Sequence, residues 1–98
     1  MNWPFADPPN VAVFTSKDIV EKCKWIYHVS HDEDDGAWQF HSKDGPSAVE
    51  ADARLVSLRS IVELDPTIAL LGDLPLGWCA WRDTQDGIWQ RKSIATKS

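Results

Sequence analysis

The residues whose types and spacing best suit chemistry lie in one stretch, HVSHDEDDGAWQFH, from His28 to His41. Its three histidines could ligate a metal ion or transfer protons, and its four consecutive acids could supply oxygen ligands or a general base. A metal site or a catalytic pair needs these side chains to converge in space. The secondary structure that carries them therefore decides what chemistry they can do.

The stretch reads as two strands joined by a tight turn. KWIYHVSH (24–31) and AWQFHS (37–42) are rich in β-branched and aromatic residues, and DEDDG between them suits a hairpin loop with Gly36 in the left-handed region. Side chains alternate between the two faces of a strand, so His28 and His31 lie on opposite faces and cannot bind one ion. His28 and His41 can be cross-strand neighbours on the outer face if the register allows it.

The same alternation predicts which side chains of the hairpin are buried. The two strands should pair antiparallel and share one apolar face, which packs on the core. One side of the first strand carries Trp25, Tyr27, Val29 and His31, and one side of the second carries Trp38 and Phe40. The aromatic side chains of both strands are expected on the common core face.

On this interpretation the hairpin offers few residues that can act together as a metal site or a catalytic site. His28 and His41 are the best candidates for a metal ligand pair, or for the histidines of a small metal-dependent or hydrolytic enzyme. The acids Asp32, Glu33, Asp34 and Asp35 do not follow the alternating oxygen pattern of a calcium loop, so they are expected to form a charged turn. Phosphate-binding loops, nucleophile elbows and zinc-protease motifs are missing from the sequence. We therefore expect no catalytic residues and no cofactor, although Cys79 with a histidine stays open as a nucleophile.

Composition excludes some partners. The formal net charge of −5 disfavours nucleic acid and anionic membranes, and it is compatible with a basic protein partner. The chain has two cysteines, no basic and apolar leader, and no apolar run near the roughly 18 residues that span a bilayer. A cytoplasmic protein is expected. Six tryptophans suggest a core of large side chains, with Trp3 and Trp89 the least certain to be buried and Trp89 a candidate partner anchor.

The 98 residues are expected to form one domain, with an extended arm at 1–10 and a frayed tail at 94–98. Strands are predicted at 11–16, 24–31, 37–42, 53–58, 77–83 and 88–93, and a loop is predicted at 43–52. Short helices are predicted at 17–23, at 61–65 and from Asp65 to Gly72. The expected fold is α+β, a mostly antiparallel sheet of about five to six strands with two or three short helices.

Helix boundaries have their own signals. Ser60 and Glu63 match a capping box for the helix at 61–65. Asp65 and Pro66 suit the cap and first position of the next helix, and Gly72 suits its left-handed end. Three residues of these helices are expected to face the core: Leu64, Ile68 and Leu71.

Three pieces together resemble a known family: HVSHDEDDGAWQF, the LVSL and IVELDPTIALLGDLPLGW block, and AWRD with a nearby tryptophan. The chain resembles, from about Val11 to Trp89, a widespread family of small bacterial proteins of unknown function. That family is similar in turn to the immunity-protein-33-like group of polymorphic toxin systems. The shared positions are Asp35, Gly36, Trp38, Phe40, Asp65 and Pro66.

The resemblance implies a non-enzymatic protein that binds a toxin and blocks its active site sterically. It implies no catalytic residue. On that hypothesis the acids from Asp32 to Asp35 form the electrostatic contact with a basic partner, and a neighbouring tryptophan is the anchor. Apart from the resemblance, a structural or regulatory accessory domain with no ligand of its own stays open as an alternative.

Overall fold

The computed structural model describes residues 3–5, 7–22, 24–34, 36–42 and 53–93. Its elements are β1 Ala12–Ser16, α1 Lys17–Lys22, β2 Ile26–His31, β3 Trp38–Ser42, β4 Ala53–Ser57, α2 Leu58–Leu64, a 3₁₀ helix Pro66–Leu71, β5 Trp78–Trp81 and β6 Gln90–Ser93. The predicted loop at 43–52, the predicted tail at 94–98, and Cys23 and Asp35 lie outside the described residues.

The six strands form one sheet in the order β4-β1-β3-β2-β5-β6. Neighbouring strands run antiparallel except β1 and β3, which are parallel. The fold class is therefore α+β with a mostly antiparallel sheet, as the sequence predicted. None of the helices in the described ranges combines the length and the apolar character needed to cross a bilayer.

One face of the sheet is covered by the helices, and the other is partly exposed to solvent. Register pairs Val29 with both Phe40 and Ala80, so these three share the inner face, and all three are completely buried. The helices contribute Leu58, Ile61, Ile68 and Leu71 to the same core cluster. On the outer face the cross-strand partners Phe14 and Leu55 stay 46% and 63% exposed.

Strand β2 departs from strict alternation. The register with β3 shifts between Ile26 and His28, and Ile26 and Val29 are both buried although they are three residues apart. A bulge of this kind inserts one residue and resets the faces. The expectation that Trp25 and Tyr27 lie on the core face with Val29 is therefore wrong: both are only half-buried, packed edge to face at 6.1 Å. Trp38 and Phe40, in contrast, are core residues as predicted.

Helix α2 begins three residues earlier than predicted. Its N-cap is Ser57, whose hydroxyl accepts a hydrogen bond from the backbone N–H of Ser60 at 3.1 Å. The capping box of Ser60 and Glu63 is therefore wrong, because Ser60 already lies inside the helix. Leu58 is on the buried side of α2, and a rotation of about 100° per residue places Leu64 roughly 120° around the helix from it. Leu64 is accordingly 50% exposed instead of facing the core.

The 3₁₀ helix confirms the predicted start but not the predicted end. The Asp65 side chain caps it by accepting from the N–H of Thr67, and Pro66 occupies its first turn. Gly72 has φ of −60°, so it is not the left-handed residue that was expected. Glycine is needed there for space, since a Cβ would lie 2.5 Å from the Pro4 carbonyl oxygen.

The N-terminal arm is docked on the core. Phe5 is buried and packs edge to face on Trp38 with ring centroids 5.3 Å apart. Trp3 packs on Phe5 and donates its indole N–H to the Asp7 carbonyl. The described residues of the arm, 3–5 and 7–10, form neither helix nor strand, and Phe5 among them completes the core.

Candidate functional site

Hydrogen bonds define the backbone conformation of the hairpin turn. The Asp32 N–H donates to the Ala37 carbonyl at 2.7 Å, and the Gly36 N–H donates to the Asp32 carbonyl at 3.0 Å. Gly36 has φ of 73°, the left-handed conformation predicted for it. Gln39 Nε2 also donates to the Asp32 carboxylate at 3.2 Å. The turn therefore presents its acids from a defined backbone.

An exposed leucine lies against this turn. Glu33 and Asp34 are exposed, and Leu76 is 53% exposed with its Cδ2 3.9 Å from where a Cβ on Gly36 would stand. The Gly77 N–H donates to the His31 carbonyl at 2.8 Å, which fixes the segment carrying Leu76 to the end of β2. We call the set Asp32, Glu33, Asp34 and Leu76 the acidic tip.

Trp38 is buried beneath the acidic tip. Its ring stacks on His31 at a centroid distance of 3.9 Å, and its indole N–H donates to an Asp7 carboxylate oxygen at 2.8 Å. His31 is held in turn by a hydrogen bond between Nδ1 and the Leu74 carbonyl at 2.8 Å. His31, the second histidine of the sequence motif, therefore has a structural role at the base of the tip.

Trp89 does not belong to the acidic tip. Strand β5 pairs Trp78 with His31 at the tip end, and its other end leads to Arg82, where Trp89 packs on the guanidinium at 4.3 Å. The Trp89 indole N–H donates to the Thr67 hydroxyl at 3.1 Å. Trp89 and the predicted acids are therefore at opposite ends of the sheet, and they do not form one contact surface.

Arg82 is a buried charge whose partners the sequence did not reveal. Its side chain is 2% exposed and forms an ion pair with Asp65 at 2.5 Å. Its Nε donates to the Ile26 carbonyl and its Nη1 to the Thr67 hydroxyl. One signal was available: Arg82 follows Ala80 by two residues and so continues the inward face of β5.

A cleft of about 410 Å³ opens beside this ion pair. Its lining mixes apolar side chains with polar ones: Ile19, Trp25, Ile26, Leu64 and Pro66 on the one hand, and Lys24, Asp65, Thr67, Arg82, Gln85 and Asp86 on the other. Asp65 and Arg82 offset each other's charge inside the protein. The cleft also contains the charged side chains of Lys24 and Asp86.

His28 and His41 are brought together on the outer face. The two residues are direct cross-strand partners, and their ring centroids are 5.9 Å apart. Both rings are half-buried, and neither forms a hydrogen bond with any other described residue. Burial lowers the pKa of His41, and burial together with the charges of His41 and Lys92 lowers the pKa of His28. Both imidazoles are thus biased toward the neutral form.

Cys79 lies on the same face, opposite Ser30, in an environment that favours the protonated thiol. The thiol is buried, and this burial raises its pKa. Reactive cysteines need the opposite shift, because the thiolate is the attacking form. The open alternative of a Cys79–histidine pair is therefore disfavoured.

Within the described ranges, no three histidine, cysteine, aspartate or glutamate side chains converge as a metal-binding group. Comparison with family models, curated proteins and solved structures gives no match. Function is therefore inferred from the arrangement of the side chains.

Proposed function

We propose that this chain is a non-enzymatic protein-binding domain that contacts a basic protein partner through the acidic tip. The observation that carries the proposal is the position of Leu76, a half-exposed leucine fixed beside the exposed acids of a hydrogen-bonded turn.

This arrangement has the anatomy of a small protein interface. An apolar side chain at the centre can be desolvated by a partner, and charged residues around it form a polar rim. Because backbone hydrogen bonds already order the turn, it loses less conformational entropy when a partner binds. Exposed acids on a chain of net charge −5 would also accelerate encounter with a basic surface.

The resemblance to immunity-like proteins supports a particular kind of partner. A toxin that acts on nucleic acid has a basic active site, because it must hold phosphates. An acidic turn with an apolar anchor could occupy such a site and block it sterically. On this proposal the protein inhibits its partner by occlusion and performs no chemistry.

The test is affinity capture from the source cell, followed by binding measurements on the captured protein. We expect the double variant Glu33→Gln/Asp34→Asn to slow association and weaken binding by at least about tenfold, with a reduced salt dependence. Leu76→Ser should weaken binding mainly through faster dissociation.

The matched control is Asp83→Asn/Asp86→Asn, which removes two exposed acids from the other end of β5. Equal loss in both double variants would show a general charge effect and reject the acidic tip as the contact. Unchanged binding in the tip variants would reject it as well.

A further inference from the structure

We infer that His28 and His41 form a two-imidazole binding site for a divalent transition-metal ion on the open face of the sheet. The inference is independent of the acidic tip. It stands on the cross-strand pairing of the two histidines, the distance between their rings and the absence of hydrogen bonds from either ring to other described residues.

The ring separation suits a shared ion. With a metal–nitrogen bond of about 2.1 Å, the metal lies roughly 3.2 Å from each ring centroid, and tetrahedral geometry then places the centroids about 5.2 Å apart. The observed centroid distance is 5.9 Å, with the ring planes inclined by 47°. Small side-chain rotations close this difference, and direct pairing on adjacent strands fixes the two backbones.

The surroundings leave the ring nitrogens available. The flanking residues on the same face are Ser30 and Gln39, which are cross-strand partners, and Trp81, which is paired with His28. All three are only half-buried, so an ion can reach the histidines from solvent. Two protein ligands also leave positions on the metal for water or for a donor from another molecule.

The ligand chemistry selects the metal class. Imidazole suits nickel, copper and zinc, whereas magnesium and calcium need a cage of oxygen ligands. Lys92 acts on His28 electrostatically, and its ammonium lies 5.6 Å from the centre of the Trp81 ring. A neighbouring positive charge weakens cation binding, so the site should be of moderate affinity and should tighten when that charge is removed.

The decisive experiment is calorimetric titration of the purified full chain with NiCl₂ at pH 7.5. We expect one equivalent to bind, and we expect His28→Asn or His41→Asn to weaken binding by at least about tenfold, the loss that even an outer-shell partner causes. Lys92→Gln should bind about threefold tighter or more. His31→Asn is the matched control, since its ring lies on the other face against Trp38, and it should bind as the wild type does.

A second measurement uses only the wild-type chain, so its result does not depend on whether the variants fold. Paramagnetic Ni²⁺ should broaden the imidazole NMR signals of His28 and His41 at substoichiometric metal and leave those of His31 sharp. Uniform broadening of all three histidines would overturn the inference. The absence of saturable binding, or equal affinity in the two outer-face variants and the wild type, would overturn it as well.

Discussion

Asp65 shows how one side chain can hold two parts of the fold together. One carboxylate oxygen accepts from the Thr67 N–H and hydroxyl at the start of the 3₁₀ helix, and the other accepts from Arg82 Nη2. Arg82 is buried, so its charge depends on this partner. The sequence indicated only the cap, because caps are local and ion pairs across 17 residues are not.

Asp65→Ala should therefore destabilise the protein by about 3–5 kcal/mol, well above the ~1 kcal/mol of a lost cap, since it leaves Arg82 buried and unpaired. Urea unfolding measures the difference. Asp65→Asn keeps an oxygen for the Thr67 N–H but removes the charge, so its cost should be smaller than that of alanine. A cost of only ~1 kcal/mol for alanine would show that Arg82 does not rely on Asp65.

The outer-face histidines should make stability depend on pH. The pKa values of His28 and His41 are lowered from 6.5 in the folded state, chiefly by burial. The unfolded chain then binds more protons than the folded chain between the folded pKa values and 6.5, so stability falls as pH drops through 6.5. Asp18 affects stability only in a lower pH range, because its pKa lies below 3.8. Burial raises this pKa, but hydrogen bonds from Ser16 and Ser42 outweigh burial and lower it.

Urea unfolding at pH 7.5 and pH 5.0 tests this prediction. Wild-type stability should be lower at pH 5.0, and the double variant His28→Asn/His41→Asn should lose less on acidification. A pH dependence that is identical in the wild type and the double variant would show that other groups cause it.

At the scale of elements, helix α2 depends on the last residue of a strand. Ser57 ends β4 and also caps α2, so strand and helix meet with no loop between them. The serine at 60 fits the capping-box motif as a pattern, but it falls inside the helix because the β1–β4 ladder runs to Ser57. Sheet pairing therefore decided which of the two serines became the cap.

Ser57→Ala should cost about 1 kcal/mol, because it leaves the Ser60 N–H without its acceptor. Thermal or urea unfolding measures it. Glu63→Gln is the comparison variant, since it removes only the exposed pair with Arg59 and should cost a few tenths of a kcal/mol. A larger cost for Glu63→Gln than for Ser57→Ala would instead support the capping box of Ser60 and Glu63.

At the scale of the whole molecule, the N-terminal arm closes the core. Phe5 lies under Trp38, and Asp7 accepts from the Trp38 indole across 31 residues. The Pro4 backbone passes so close to Gly72 that no side chain fits between them. The arm, the hairpin and the 3₁₀ helix are therefore coupled through one packing site.

Gly72→Ala should destabilise the protein by about 1–3 kcal/mol through overpacking against Pro4, although its φ of −60° suits alanine. The matched experiment repeats the substitution in a chain that lacks residues 1–4, which removes Pro4 and keeps Phe5 for the core. There alanine should be neutral or slightly stabilising, because the clash is gone and alanine restricts the unfolded chain. Equal cost in both chains would show that the arm is not the obstacle.

The sequence by itself determined the features that rest on neighbouring residues. Alternation predicted the strands and the burial of Trp38 and Phe40, the turn chemistry predicted Gly36, and the Asp65–Pro66 pair predicted a helix start. Each depends on backbone preferences within a few residues. For the candidate site, the sequence identified the acids and the two histidines. Whether His28 and His41 are neighbours depends on strand register, which the sequence left open.

Only the tertiary structure decided which distant side chains meet. The bulge in β2 turned Tyr27 away from the core, and the register then placed His28 opposite His41. The packing of the segment before β5 brought Leu76 to Gly36, and the length of β5 put Trp89 at the far end from the acids. Such contacts are selected by the free energy of the whole packed core, which no local pattern contains.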